Sequence, residues 1–309
     1  MKWIEAKVVF DFNDKQLATD LIADIFYELG ITGLVVEEPD IEHPEDWGKD
    51  AIHPEHYAVI GYFSRDEKTQ TRRRILEKNL VRLEKEKGIT YKIIYADMDE
   101  SDWANQWKAY SRPKKITDKI IVKPTWREYL RNQDEIIIEI DPGMAFGTGT
   151  HPTTCMCITM IEKYLNTGDS FLDVGTGSGI LMIAAAKLGA ARVWGTDNDE
   201  IAVDIAWKNL MQNRIAKATF NVITGNFMEK VSARFDVVAA NMTSKSILIL
   251  LEDIKKVLVK KGIFICSGII EEDKNNVINK MKNLGFEVIE ILTKENWVSI
   301  ACRSGLQKK

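Results

Sequence analysis

The spacing of apolar residues changes character along the chain, from four strands around two helices to a long alternation of strand and helix. Trp3–Phe10 is apolar and β-branched and predicts a strand. Lys15–Leu29 places Leu17, Leu21, Ile22, Ile25 and Leu29 on one helical face, and Gly30 ends that helix where a left-handed residue is wanted. Gly33–Glu38 and Tyr57–Phe63 predict strands on either side of a polar loop punctuated by Pro39, Pro44, Gly48 and Pro54. Asp66–Lys87 predicts a long helix with Leu76, Leu80 and Leu83 facing inward, and Thr90–Met98 a fourth strand. The order β-α-β-β-α-β predicts a small ferredoxin-like α+β domain over residues 1–98.

Residues 99–140 predict a connector. Ser101-Asp102-Trp103 can cap a short helix holding Trp103 and Trp107, which either pack against a neighbouring domain or stack on a substrate. Ile120–Lys123 and Glu135–Ile140 predict strands leading into a second domain over residues 141–309. There the predicted helices are Pro152–Leu165, Gly179–Leu188, Asp199–Gln212, Ser244–Val259 and Glu272–Leu284. The predicted strands between and after them are Phe171–Val174, Arg192–Thr196, Ala218–Thr224, Phe235–Ala240, Gly262–Ser267, Phe286–Leu292 and Trp297–Cys302. Such alternation demands an α/β fold, a mostly parallel sheet with helices on both faces, and the short last connection predicts an antiparallel hairpin.

A length of 309 residues agrees with two domains. The formal charge of −4 gives no global pull toward nucleic acid. Arg72-Arg73-Arg74 is a basic spot that reads first as a solvated helix face. Cys155, Cys157, Cys266 and Cys302 have neither paired nor regular spacing, and the four histidines form no metal-binding motif, so neither a disulfide framework nor a metal site is expected. The N-terminus lacks the apolar core of a signal peptide, and no apolar run approaches about 18 residues. The expectation is a cytoplasmic protein with no membrane partner.

The strongest local signal is Asp173-Val174-Gly175-Thr176-Gly177-Ser178-Gly179, between an apolar strand and an apolar helix. Glycine lets the backbone turn tightly and a ligand approach without a β-carbon in the way. The helix start beyond offers free N–H groups to a carboxylate. Asp197, at the end of the next predicted strand, can accept both hydroxyls of a ribose, in charge-assisted bonds of about 1.5–3 kcal/mol each. A dinucleotide fingerprint would read G-x-G-x-x-G; here the run is G-x-G-x-G with an acid just ahead. That acid disfavours a diphosphate and favours a ligand with an ammonium group. S-adenosylmethionine carries an ammonium, a ribose and a sulfonium, so it is preferred to NAD, and Gly175, Gly177 and Asp197 are candidate cofactor-binding residues.

Three further segments face the same pocket in this reading. Asn241 follows the strand Phe235–Ala240, at the carboxyl end where open α/β sheets bind ligands. It either orients a substrate amine as the catalytic residue or caps the next helix. Thr224-Gly225-Asn226-Phe227 either lines an adenine or is an ordinary loop. Asp141-Pro142-Gly143-Met144-Ala145-Phe146-Gly147-Thr148-Gly149-Thr150-His151-Pro152-Thr153-Thr154 reads as a functional loop over the pocket mouth, whose threonines can bond a cofactor carboxylate.

Asp141 through Thr154, with Gly175–Gly179, Asp197 and Asn241, resembles the PrmA-type ribosomal protein L-eleven methyltransferase family. The resemblance covers nearly the whole chain, including Ser267-Gly268-Ile269 and Glu295-Asn296-Trp297. It implies a Rossmann-like class I methyltransferase domain behind a small domain that recognises a ribosomal large-subunit protein, joined by a connector that lets it swing. It also implies repeated methylation of lysine and N-terminal amines, with Thr154, Gly175, Asp197 and Asn241 binding the cofactor. RNA or a small molecule is the alternative substrate, and an NAD-dependent oxidoreductase the alternative enzyme. Members of the family often read Asn-Ile-Leu-Ala where this chain has Asn241-Met242-Thr243-Ser244, a more polar wall beside the target amine. Positioning would dominate the chemistry. His151 is a candidate base, though proton loss to solvent needs none. Phe146 either contacts the sulfonium or packs the loop.

Overall fold

A computed structural model of the chain describes residues 2–31, 34–39, 54–99, 113–141, 149 and 151–305. The chain divides into two compact units, Met1–Arg112 and Pro113–Lys309. The expected helix around Trp103 and Trp107 lies outside the described residues, as do residues 142–148 and Thr150 of the glycine-rich loop.

In the first unit the order is β1 (Lys2–Asp11), α1 (Lys15–Glu28), β2 (Leu34–Glu37), β3 (Ala58–Ser64), α2 (Thr69–Lys87) and β4 (Thr90–Asp99). The strands form an antiparallel sheet in the order β2-β3-β1-β4, the arrangement of a ferredoxin-like unit. Ile4, Ala6, Val8 and Phe10 recur with the period of two that a half-covered strand requires, and they join Leu76 and Leu80 of α2 in one core. The buried face of α1 is Ala18, Thr19, Ile22, Ile25 and Phe26, while Leu17 and Leu21 are only half-buried. The face is turned from the expected one because the Phe26 ring fills the space over Gly61 of β3, where a side chain would collide with it.

The second unit opens with β5 (Lys114–Lys115), β6 (Ile120–Lys123) and β7 (Ile136–Glu139) in a small sheet of their own. Ile120, Val122, Ile138 and Ile140 join the main apolar cluster of this unit, so the stretch from Pro113 to Ile140 packs with it. There follow α3 (Pro152–Tyr164), β8 (Ser170–Val174), α4 (Ile180–Lys187), β9 (Arg192–Asp197), α5 (Glu200–Gln212), β10 (Phe220–Thr224) and β11 (Phe235–Asn241). The unit ends with α6 (Ser244–Leu250), β12 (Leu258–Ile270), α7 (Lys274–Asn283), β13 (Phe286–Lys294) and β14 (Trp297–Ser304). The seven-stranded sheet runs β10-β9-β8-β11-β12-β14-β13. The first five strands are parallel, and the last two close the sheet as an antiparallel hairpin.

Both faces of this sheet are covered. Phe171, Val237, Ala239, Ile263 and Ile265 point to the cluster under α3 and α4, while Leu172, Val238, Ala240, Phe264 and Cys266 point to the cluster under α6 and α7. That double covering is why these strands read as apolar runs rather than alternations. The predicted helix Ser244–Val259 stops at Leu250. Leu251, Ile254 and Val257 keep helical spacing and stay buried, but they do so in turns flanking a short 3-10 helix, Ile254–Lys256, and β12 already begins at Leu258. Strand order reverses between β8 and β11, leaving a crevice at their carboxyl ends where open α/β sheets place ligands.

Candidate active site

The chain leaves β8 through Gly175, Gly177 and Gly179, with φ of +75°, +52° and +80°. Residues with a β-carbon rarely adopt this region. The loop is tied to β9: Gly175 and Thr176 both donate their N–H to the Thr196 carbonyl, at 2.8 and 3.0 Å. Gly179 sits against α5, where a β-carbon would stand 3.1 Å from the Ala206 Cα. Asn209 on the same helix donates to the Ser178 carbonyl at 2.8 Å. The turn is therefore held from both sides, with the N-terminus of α4 beyond it.

Asp173 is 1% exposed. Its Oδ2 accepts from the Thr176 hydroxyl at 2.8 Å, and its Oδ1 has no hydrogen-bond partner among the described residues. Burial lifts this carboxyl from 3.8 to about 7; the Thr176 bond opposes the shift and the nearby Asp197 charge adds to it. Gly195 of β9 leaves room for this pair, since a β-carbon there would stand 3.0 Å from the Thr176 hydroxyl. An orphaned carboxylate oxygen in an apolar wall is costly unless a donor or cation comes to meet it. Sequence reasoning found the charge of Asp173 but missed Gly195 and Asn209. A glycine inside a strand, which often marks a close approach, was the available signal for Gly195.

Asp197 ends β9 as expected, half-buried. Its Oδ2 accepts from the Gly177 N–H at 2.9 Å and its Oδ1 from the Asp199 N–H at 3.1 Å. A carboxylate offers about four lone-pair sites, so two bonds leave capacity for hydroxyl donors. The Asp197 carbonyl accepts from the Gly225 N–H at 2.8 Å, which holds the Thr224–Phe227 turn beside it.

Asn241 is the last residue of β11, and the helix after it is capped by Thr243, whose hydroxyl accepts from the Ser246 N–H. The capping alternative for Asn241 is thereby removed. Its Nδ2 donates at 3.3 Å to the hydroxyl of Thr154, a fully buried residue on α3, so these two predicted residues are brought together. With Nδ2 so engaged, Oδ1 is the amide atom left to accept. Met242 reaches back to the glycine loop, its Cε lying 2.9 Å from where a β-carbon on Gly175 would stand.

Of the glycine-rich loop, Asp141 accepts from the Thr125 N–H and hydroxyl, and a β-carbon on Gly149 would collide with Val122 and Ile180. Phe146 lies outside the described residues. His151 caps α3, its Nδ1 accepting from the Thr153 N–H at 3.3 Å, and its ring meets Trp297 edge-on at 5.1 Å. Burial and then the Lys114 charge push its pKa down to about 4. A base that weak is poorly matched to a protonated amine. Among the described residues no group of three or more His, Cys, Asp or Glu side chains is placed to hold a metal ion. No helix among them is long and apolar enough to cross a membrane.

The comparisons with known proteins agree with one another. Residues 2–305 match the family described as ribosomal protein L11 methyltransferase (PrmA). A ribosomal protein L11 methyltransferase of Desulfosudis oleivorans is 42% identical over 307 residues, covering 98% of this chain and 99% of that protein. One of Fusobacterium nucleatum subsp. nucleatum is 38% identical over 305 residues, covering 97% and 98%. The crystal structure of a ribosomal protein L11 methylase from Lactobacillus delbrueckii subsp. bulgaricus superposes with a TM-score of 0.60 at 28% identity, covering 63% of this chain and all of that one. With a glycine turn, an acid on the next strand and an asparagine at the switch point of a sheet of this order, and with relatives matched end to end, the chain belongs to the ribosomal protein L11 methyltransferase (PrmA) family.

Proposed function

We propose that this chain transfers methyl groups from S-adenosylmethionine to the lysine and N-terminal amines of ribosomal protein L11. The observation that carries the reading is the fully buried, half-satisfied carboxylate of Asp173 beside a glycine turn, with Asp197 and Asn241 at the same sheet edge. Asp173 Oδ1 lacks a donor among the described residues, which an ammonium would supply, and the glycine turn and the start of α4 suit a carboxylate. Asp197 has lone pairs for ribose hydroxyls. These residues fit an amino acid joined to a nucleoside better than a dinucleotide, whose diphosphate would lie against Asp173.

When bound, S-adenosylmethionine supplies a methyl group activated by a sulfonium. The residues of this chain then position it. Gly175 and Gly177 let the backbone close on the ligand, and Asp197 fixes its ribose end. Asn241 Oδ1, oriented by the Thr154 bond, accepts an N–H of the incoming amine and turns the nitrogen lone pair toward the methyl group. Holding two reactants in line supplies about 7–11 kcal/mol of such a barrier. The amine proton leaves to solvent, since His151 is committed to capping α3. The first unit takes the role of recognising the ribosomal protein.

The test is to incubate the purified chain with tritiated S-adenosylmethionine and a bacterial ribosomal extract and resolve the labelled species. Label on L11 is expected. Label on RNA or small molecules keeps the methyltransferase and discards the substrate. No label, with no cofactor binding by calorimetry, overturns the reading.

A further inference from the structure

Met242 joins the two halves of the site. Its N–H donates to the Ser267 carbonyl at 3.0 Å. Asn241, just before it, is in register with Ser267. The register of β12 against β14 shifts between Cys266 and Ile269, where Gly268 has a φ of +81°. A β-carbon on Gly268 would fall onto the Met242 backbone, 3.0 Å from its nitrogen and 2.8 Å from its carbonyl carbon. Beneath this contact the Ser299 hydroxyl donates to that of Ser267, both fully buried, so the strand pair cannot easily yield there. At its other end the methionine places Cε against Gly175, as described above.

Two glycines thus seat one residue, one under its backbone and the other under the tip of its side chain. Gly175 opens the loop that holds the methyl donor, and Asn241 holds the amine. The remaining polar residues of the segment serve the next helix, with Thr243 capping it and Ser244 buried in its first turn. An unbranched thioether suits an irregular gap of this kind.

We propose that Met242 is a positioning residue that sets the distance between the methyl donor and the amine held by Asn241. This rests on the methyl-transfer reading above. Its consequence falls on turnover, because a displacement of about 1 Å between reacting groups costs about 100-fold in rate.

The experiment uses the full chain with S-adenosylmethionine and ribosomal protein L11. It measures kcat, the KM for L11, cofactor Kd by calorimetry and thermal melting for the wild type, Met242→Ala, Met242→Val and Met242→Leu. Met242→Ala is expected to lower kcat about 10- to 100-fold with cofactor Kd within about threefold of wild type. Met242→Leu, which keeps volume and reach, restores kcat to within about threefold. Should Met242→Ala not fold, Met242→Val stays apolar but cannot span to Gly175, and it carries the same expectation. Unchanged kcat in the shortened variants, a loss of kcat matched by an equal loss of cofactor affinity, or a Met242→Leu enzyme as slow as Met242→Ala each overturns the proposal. A wild type that transfers no methyl group to L11 removes the reading on which it rests, whereas an active wild type with an equally active Met242→Ala rejects the positioning role alone.

Discussion

Asp173 carries a cost that a ligand can relieve. Its pKa of about 7 in the folded chain stands above the ordinary 3.8, so the folded state holds this proton more tightly than the unfolded state does. The stabilisation from that proton is complete below pH 3.8 and is lost as pH rises to about 7. The ionisable groups coupled to this carboxyl are Asp197 on β9 and the buried thiol of Cys157 on α3, whose own pKa is raised by burial and then by the Asp173 charge. Asp173→Asn is therefore expected to melt at a higher temperature than wild type at pH 8, with the advantage shrinking at pH 5, in the absence of ligand. Cofactor affinity of the wild type should rise between pH 6 and pH 8, while Asp173→Asn binds weakly with a flat profile by calorimetry. Parallel profiles for the two proteins would remove Asp173 from the site. Asn241→Ala should lower kcat about 100-fold or more and change cofactor Kd by less than about threefold. Equal losses in both would make Asn241 a cofactor ligand alone.

Among the elements, α3 shows how one side chain can be claimed by structure. His151 sits at its N-cap with Pro152 in the first turn, and Thr154 faces inward three residues on. A capping side chain is worth about 1 kcal/mol, and a neutral imidazole can accept the bond where an imidazolium cannot. Burial and then the Lys114 charge keep the ring neutral, and a neutral ring can accept the Thr153 N–H at the cap while it packs edge-on against Trp297. His151→Asn keeps an acceptor at the cap and should keep kcat within about threefold, with the same pH–rate profile. His151→Ala should lose about 1 kcal/mol of stability in a denaturant titration. A rising limb of the profile that disappears in His151→Asn would return the base role to this residue.

Each unit of the molecule holds apolar clusters of its own, one around Phe26, Leu76 and Leu80 in the first, and in the second one around Phe171 and Ile265 and another around Leu250 and Phe264 on the two faces of the sheet. The site residues described above, from Asp141 to Gly268, all fall within Pro113–Lys309. The segment Pro113–Lys309 expressed alone should bind S-adenosylmethionine within about threefold of the full chain and lose about 100-fold or more in kcat/KM toward L11. Retained kcat/KM would take substrate recognition away from the first unit.

The element order, the parallel sheet and the closing hairpin were legible in the sequence because period and glycine punctuation are local properties of a chain. The positions of Asp173, the glycine turn, Asp197 and Asn241 at the carboxyl ends of their strands were legible for the same reason: each depends on the strand or helix beside it. The end of α6 was not, because the buried residues beyond Leu250 keep a helical spacing while following a different backbone. The face of α1 was not either, since Phe26 turns inward only where Gly61 leaves room across the sheet. Whether Asn241 capped a helix or faced the site depended on Thr243 and Thr154 competing for its neighbourhood. The opposition of Gly175 and Gly268 across Met242 joins residues far apart in the chain. Only packing could bring them together, because close approach of two backbones leaves no periodic trace in a sequence.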